Sequence, residues 1–169
     1  DRVGQVWAGS GMQWESRGTG LRRLDGASWT TFTTADGLAS DQVTALAWNR
    51  QGQLLIGGGH GGLTVWDGER FTRVRGLPSH AVGAIAETRE GTLWVATWGG
   101  GVWRWAPGAP AASAEASPCA PLDAPTLRSR LTSSLAVDQR DRLWIGTFGA
   151  GVYVYDGQVL QHLARRDGL

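Results

Sequence analysis

Chemistry in this 169-residue chain would have to come from few side chains. The histidines His60, His80 and His162 lack metal-ligand spacing, so no metal is expected. Cys119 is the single cysteine, has no activating histidine near it in sequence, and reads as an incidental thiol. The run GGGHGG (57–62) contains G-x-G-x-x-G, yet a strand-like segment follows where a dinucleotide site needs a helix N-terminus. No GK[ST] follows any glycine loop, and no G-x-S-x-G elbow exists. No catalytic residue and no cofactor are expected. What remains is aromatic. The stretch TLWVATWGGGVWRW (92–105) packs four tryptophans around a triple glycine. Such residues serve either as a platform for a sugar or other flat ligand, or as the core of a repeated sheet.

Composition narrows the setting. The chain is 41% hydrophobic and 18% charged, as one globular unit would be. No apolar run approaches the roughly 20 residues that cross a bilayer, so no direct membrane contact is expected. A net charge of +1 argues against a nucleic-acid partner, which needs concentrated Lys and Arg. The 26 glycines and 10 tryptophans point to short strands joined by tight turns.

Self-comparison decides the architecture. QVWAGSG (5–11), QLLIGGG (53–59), TLWVATW (92–98) and RLWIGTF (142–148) are copies of one segment. Allowing for insertions near 12–17 and at 107–125 gives a period near 40, the length of a four-stranded propeller blade. VTALAWN (43–49), VGAIAET (82–88) and TSSLAVD (132–138) read as first strands, and the LWIGT-type segments as second strands. Third strands begin near Leu21, Leu63, Val102 and Val152. ASWTTF (27–32), ERFTRV (69–74) and QVLQHL (158–163) read as fourth strands. Asp-Gly at 25–26, 67–68 and 156–157 marks hairpins, because such turns need positive φ. The expected fold is all-β, a β-propeller fragment of about four blades: three strands of one blade plus three full four-stranded blades. The blades fall at about 1–38 (lacking its first strand), 39–77, 78–127 and 128–169. The ends of the sequence read as cuts in a longer array, and two copies would make an eight-bladed ring. Unpaired edges would invite self-association, including a homodimer.

The pattern DGLASDQ followed by VTALAWN and GQLLIGGGHGGLTVWDGERFTRV resembles the two-component regulator propeller repeat. The likeness is strongest at 36–77 and 128–157 and breaks at 106–126, where Ala-Pro replaces the Asp-Gly turn. The resemblance implies the extracytoplasmic, periplasmic sensor region of a bacterial hybrid histidine kinase, of a type that often responds to polysaccharide fragments.

Columns of the repeat separate core from candidate site. Trp94 stands with Trp7, Leu55 and Trp144, and Trp105 with Leu24, Trp66 and Tyr155, so these are expected to pack. Trp103 stands with Arg22, Thr64 and Tyr153, a mixed set expected at a partly exposed surface. Trp98 and Phe148 share a loop column with Gly11 and Gly59, and either lie over a neighbouring blade or form a platform at the central mouth. Asp41, His80 and Arg130 each follow a serine (Ser40, Ser79, Ser129) and change charge from blade to blade. They line the mouth or end solvated loops, and the serines are expected to bond loop backbone. His60 lies in the same region, as do Trp14, Glu15 and Arg17. The leading reading is a non-catalytic ligand-binding module that uses Trp98, Phe148, His60, Asp41, His80 and Arg130 on an oligosaccharide or other small ligand. A protein-interaction scaffold is the alternative, and a propeller enzyme resembling the streptogramin-lyase type is a third.

Overall fold

A computed structural model describes residues 4–11, 18–60, 62–77, 81–105, 119–123, 127 and 131–168. Its strands form four antiparallel sheets, each a meander in which successive strands pair. The first sheet has three strands, β1 (Val6–Gly9), β2 (Leu21–Asp25) and β3 (Ser28–Phe32). The second has four: β4 (Val43–Trp48), β5 (Leu54–Gly58), β6 (Leu63–Trp66) and β7 (Phe71–Arg73). In the third, β8 (Val82–Glu87), β9 (Leu93–Thr97) and β10 (Gly101–Trp105) are followed by β11 (Cys119–Pro121). The fourth runs through β12 (Thr132–Val137), β13 (Leu143–Thr147), β14 (Val152–Tyr155) and β15 (Leu160–Leu163). This is the expected set of blades. The first strands β4, β8 and β12 lie side by side, with β8 between the other two.

Strands buried on both faces explain the nearly continuous apolar middle segments. All of β5 and β9 are buried. One core cluster joins Leu55, Leu63 and Val65 of the second sheet to Val82, Leu93, Val95 and Trp105 of the third. Another joins Trp94 and Val102 of the third to Leu143, Ile145 and Tyr153 of the fourth. Between the first and second sheets the filling is aromatic. Trp7 stacks on Phe32 at 5.9 Å, Trp66 sits 4.4 Å from Phe71, and the Arg23 guanidinium lies over both Trp7 and Phe32. The expected hairpin turns are present, with Gly26, Gly68 and Gly157 at φ of 62°, 106° and 100°.

Two expectations need correction. Cys119 lies within the expected 107–125 insertion, yet Cys119–Pro121 pairs with β10 as the outer strand of its blade, Cys119 opposite Trp105. The rest of that insertion, 107–118 and 124–125, is outside the described residues. The Trp103 column is only in part at the surface: Arg22 is exposed and Trp103 half-buried, but Thr64 and Tyr153 are fully buried. In the second blade the loop before the first strand folds over this position, and the Ala39 N–H donates to Thr64 Oγ1 at 2.9 Å.

On the side where first strands turn into second strands, neighbouring sheets are tied by carboxylates. The Arg50 N–H donates to Glu87 Oε2 at 2.7 Å, and the Arg89 N–H donates to Asp141 Oδ1 at 2.8 Å. Asp138 holds the corresponding turn of the fourth sheet. It accepts from Trp144 Nε1 at 3.0 Å, from Arg142 Nε at 2.7 Å and from the Arg140 and Arg142 N–H groups. The indole N–H foremost, then the Arg142 donors, hold its carboxyl well below the usual carboxylate range. A carboxylate depressed in the folded state stabilises the fold above its unfolded value of 3.8, and that stability is lost as pH falls towards the folded value. Urea midpoints should therefore decline below about pH 4, and Asp138→Asn should flatten that acid limb. An unchanged slope in the variant would assign the decline to other carboxylates.

Candidate functional site

The loops leaving second strands meet the loops entering first strands, as the repeat pattern requires. Gly59 N–H donates to the Gln42 carbonyl at 2.8 Å, Trp98 N–H to that of Ala81 at 2.9 Å, and Phe148 N–H to that of Leu131 at 2.9 Å. These three bonds place the Gly59/Trp98/Phe148 column on one rim, above the tops of β4, β8 and β12. Each of those strands carries a register irregularity after its first residue, at Thr44, Gly83 and Ser133. Such bulges re-aim side chains and are common beside functional sites.

The bulge residues differ in a useful way. Thr44 Oγ1 donates to the Val82 carbonyl at 2.7 Å, joining the second sheet to the third. Ser133 Oγ lies 3.4 Å from the Gly146 carbonyl. At Gly83 there is no side chain, and a Cβ built there would stand 3.0 Å from the Thr132 carbonyl and 3.1 Å from Trp98 Nε1. The absent side chain lets the Trp98 indole settle against the top of β12. Across the blade boundary Trp98 meets Phe148, ring centroids 5.9 Å apart and planes tilted by 45°. Phe148 is 64% exposed and Leu131 39%, so the pair presents an apolar, solvent-facing shelf. Trp98 therefore lies over the next blade and contacts the exposed ring of Phe148.

In the second blade the rim is filled differently. Gln42 is buried, and a Cβ on Gly59 would stand 1.9 Å from its Oε1, while one on Gly11 would stand 2.5 Å from its Cγ. The Gln42 side chain therefore occupies the space beside Gly59. Ala81 is matched with Trp98, and Leu131 with Phe148. Neither Gln42 nor Gly83 emerges from reading the Trp98 column alone. The signal for Gly83 was present, since its column otherwise holds the hydroxyls Thr44 and Ser133.

The remaining candidates separate. His60 is exposed on the loop after β5. Asp41 is committed elsewhere: its carboxylate accepts the Thr34 N–H at 2.6 Å and faces the Thr34 hydroxyl at 3.4 Å, fixing the short 3-10 turn Thr34–Asp36. Ser40 performs the backbone task expected of it, accepting the Gln42 N–H at 3.1 Å. His80, Arg130, Ser79, Ser129, Trp14, Glu15 and Arg17 lie outside the described residues. Among the described residues no group of three His, Cys, Asp or Glu side chains is arranged to hold a metal ion.

Comparison with known proteins adds a family signal and a fold. Residues 76–99 match the model of the two component regulator propeller. That interval covers the loop, first strand and second strand of the third blade, a different copy from those in which the likeness reads most strongly by eye. No curated protein matches the sequence. Among solved structures, the chain is similar to an extracellular domain assigned to a hybrid two component system, BT3049 of B. thetaiotaomicron. The TM-score is 0.75 at 16% identity, over 100% of this chain and 23% of that one. A second such domain, BT4673 of the same organism, gives 0.68 at 22% identity, over 94% and 21%. PorZ, a surface component of the type-IX secretion system of Porphyromonas gingivalis, gives 0.72 at 16%, over 99% and 27%. The chain spans about a quarter or less of these two component domains, and at such identities the likeness shows the fold. Residues 76–99 thus match the two component regulator propeller model, and β8 and β9 within that interval form the inner half of one blade of a β-propeller.

Proposed function

We propose that this chain is a non-catalytic sensing module of a bacterial two component system, working outside the cytoplasm and binding a ligand at its mouth. The carrying observation is the shelf formed by Trp98 and Phe148 on the rim where blades meet. An open aromatic face binds the apolar face of a sugar ring, and an oligosaccharide is the ligand class it fits best. The family signal at 76–99 supports the sensor setting, as do the extracellular domains the fold resembles. Trp98 and Phe148 come from different blades, so a ligand touching both favours one packing of the third sheet on the fourth. Sensing is then a shift of population between packings.

The test is a panel of oligosaccharides titrated against the folded chain by calorimetry. Trp98→Ala is expected to weaken binding at least about tenfold, with folding retained. Phe148→Ala should do the same, whereas Asp41→Asn should loosen the Thr34 loop without affecting affinity. Binding untouched by both aromatic substitutions would remove the site from this rim.

A further inference from the structure

Of the inner-strand bulges at Thr44, Gly83 and Ser133, the one at Gly83 is bare. Backbone conformation does not require glycine there, because Gly83 lies outside the left-handed region that favours it. The other copies hold hydroxyls at this place. Thr44 uses its own to tie the second blade to the Val82 carbonyl of the third, at 2.7 Å. Thr132 stands in the column of Val82, so a threonine at position 83 would face the Thr132 carbonyl in the same way. The third blade forgoes that bond.

The Trp98 ring takes the space instead. The backbone of Trp98 is held on both sides, its N–H donating to the Ala81 carbonyl at 2.9 Å and the residue bridging antiparallel to Leu131. Only the side-chain torsions remain to place the indole. Its Nε1 stands 3.1 Å from the point that a Cβ on Gly83 would take, inside ordinary van der Waals contact. A threonine adds two further atoms to that Cβ. The same Cβ would stand 3.0 Å from the Thr132 carbonyl oxygen and 3.3 Å from Ser133 Cα. Two causes would therefore call for glycine: room for the ring, or close approach of β8 to β12. The second blade favours the ring. There a full β-branched side chain fits beside the equivalent Val82 carbonyl, and the rim residue is Gly59.

We propose that Gly83 is the positioning residue of the aromatic shelf: by leaving the bulge bare, it lets the indole of its own blade lie across to β12 and meet Phe148. Bulge and rim then act as one unit, threonine with glycine in the second blade and glycine with tryptophan in the third. The aromatic contact of the third blade is set at the inner strand as well as at the loop. This inference rests on the reading of Trp98 as a ligand contact only for its effect on affinity. The placement of the ring stands apart from that reading.

The test labels the tryptophan indoles of the chain with nitrogen-15 and assigns the Trp98 resonance by its loss in Trp98→Phe. Gly83→Thr should move that resonance and speed exchange of its indole proton with solvent, leaving the Trp7 and Trp66 resonances in place. Gly83→Ala, the milder change, should move it in the same direction. An unmoved Trp98 resonance in both variants would overturn the proposal. Urea midpoints separate the two causes of the glycine. Gly83→Ala should lower the midpoint of the parent chain more than that of Trp98→Ala, where no ring competes for the space. A fall equally large in both backgrounds would also overturn the proposal, assigning Gly83 to the approach of β8 and β12. With cellohexaose and maltohexaose as probes, Gly83→Thr should weaken binding at least about tenfold, with no further loss when Trp98→Ala is added. If neither sugar binds the parent chain, the ligand reading fails, and the Trp98 resonance alone decides the role of Gly83.

Discussion

Replacing Trp94 by alanine is expected to cost about 3–5 kcal/mol, a large part of the stability of a domain this size. The indole is 6% exposed and belongs to the cluster of Val102, Leu143, Ile145 and Tyr153. Tyr155 meets it edge-on at 5.7 Å, so truncation also removes a packed aromatic contact between the third and fourth sheets. Neighbours anchored in strands cannot collapse into the space, and the cavity term adds to the transfer term. Trp98→Ala, four residues away, should cost less than about half as much, because that ring is only half-buried. The two variants therefore separate scaffold from site: one lowers the urea midpoint strongly, and the other is expected to reduce affinity. Similar stability losses in both would mean that Trp98 belongs to the core.

Thr132→Val is the second large effect, about 2 kcal/mol and a fall in melting temperature of roughly 4–8 °C. The Thr132 hydroxyl is fully buried where the third and fourth sheets meet. It accepts the Thr97 N–H at 3.1 Å and offers its one proton to the carbonyls of Thr97 at 2.9 Å and Gly101 at 3.1 Å. Valine has nearly the same shape, so no cavity forms, but the Thr97 N–H loses its acceptor in a dry place. Comparing the copies predicts the opposite, since Val43 and Val82 hold this position in the other blades. There the neighbouring atoms differ: the Val43 N–H itself donates to the Ser10 carbonyl at 3.0 Å. Thr132→Ser, which keeps the hydroxyl, should lose distinctly less in the same melt. Equal losses in both variants would show that the methyl group matters as much as the hydroxyl, and an unchanged melt in Thr132→Val would overturn the prediction.

These cases show where the sequence was legible. Strand order and blade count followed from self-similarity, because the same two-sided packing selects the same apolar residues in every copy. Trp94 and Trp105 read correctly as core for that reason. Cys119–Pro121 escaped notice because Ala-Pro stands where the other hairpins have Asp-Gly, removing the turn signal without removing the strand. Tyr153 was expected at a partly exposed surface and is buried, because His162 of the outer strand stacks on it at 4.4 Å and it joins the cluster of Trp94 and Val102, pairings that a single column does not display. Asp41 was read as lining the mouth or ending a solvated loop, and its bond to the Thr34 N–H was not legible because it depends on the 3-10 turn next to it. The rim depends on pairs of positions contributed by different loops, and single columns do not display pairs.

That pairing also bears on how the rim can change over generations. Gln42 beside Gly59, Ala81 beside Trp98 and Leu131 beside Phe148 occupy the rim in different ways. A tryptophan introduced at Gly59 alone would collide with Gln42, and reproducing the third blade's arrangement also needs Gln42→Ala and Thr44→Gly, because Gly83 is what leaves room for Trp98. Single steps along this rim are thus penalised and combined steps are open. Drift should preserve each blade's combination as a unit, while recombination of whole repeats offers a ready route to a new one.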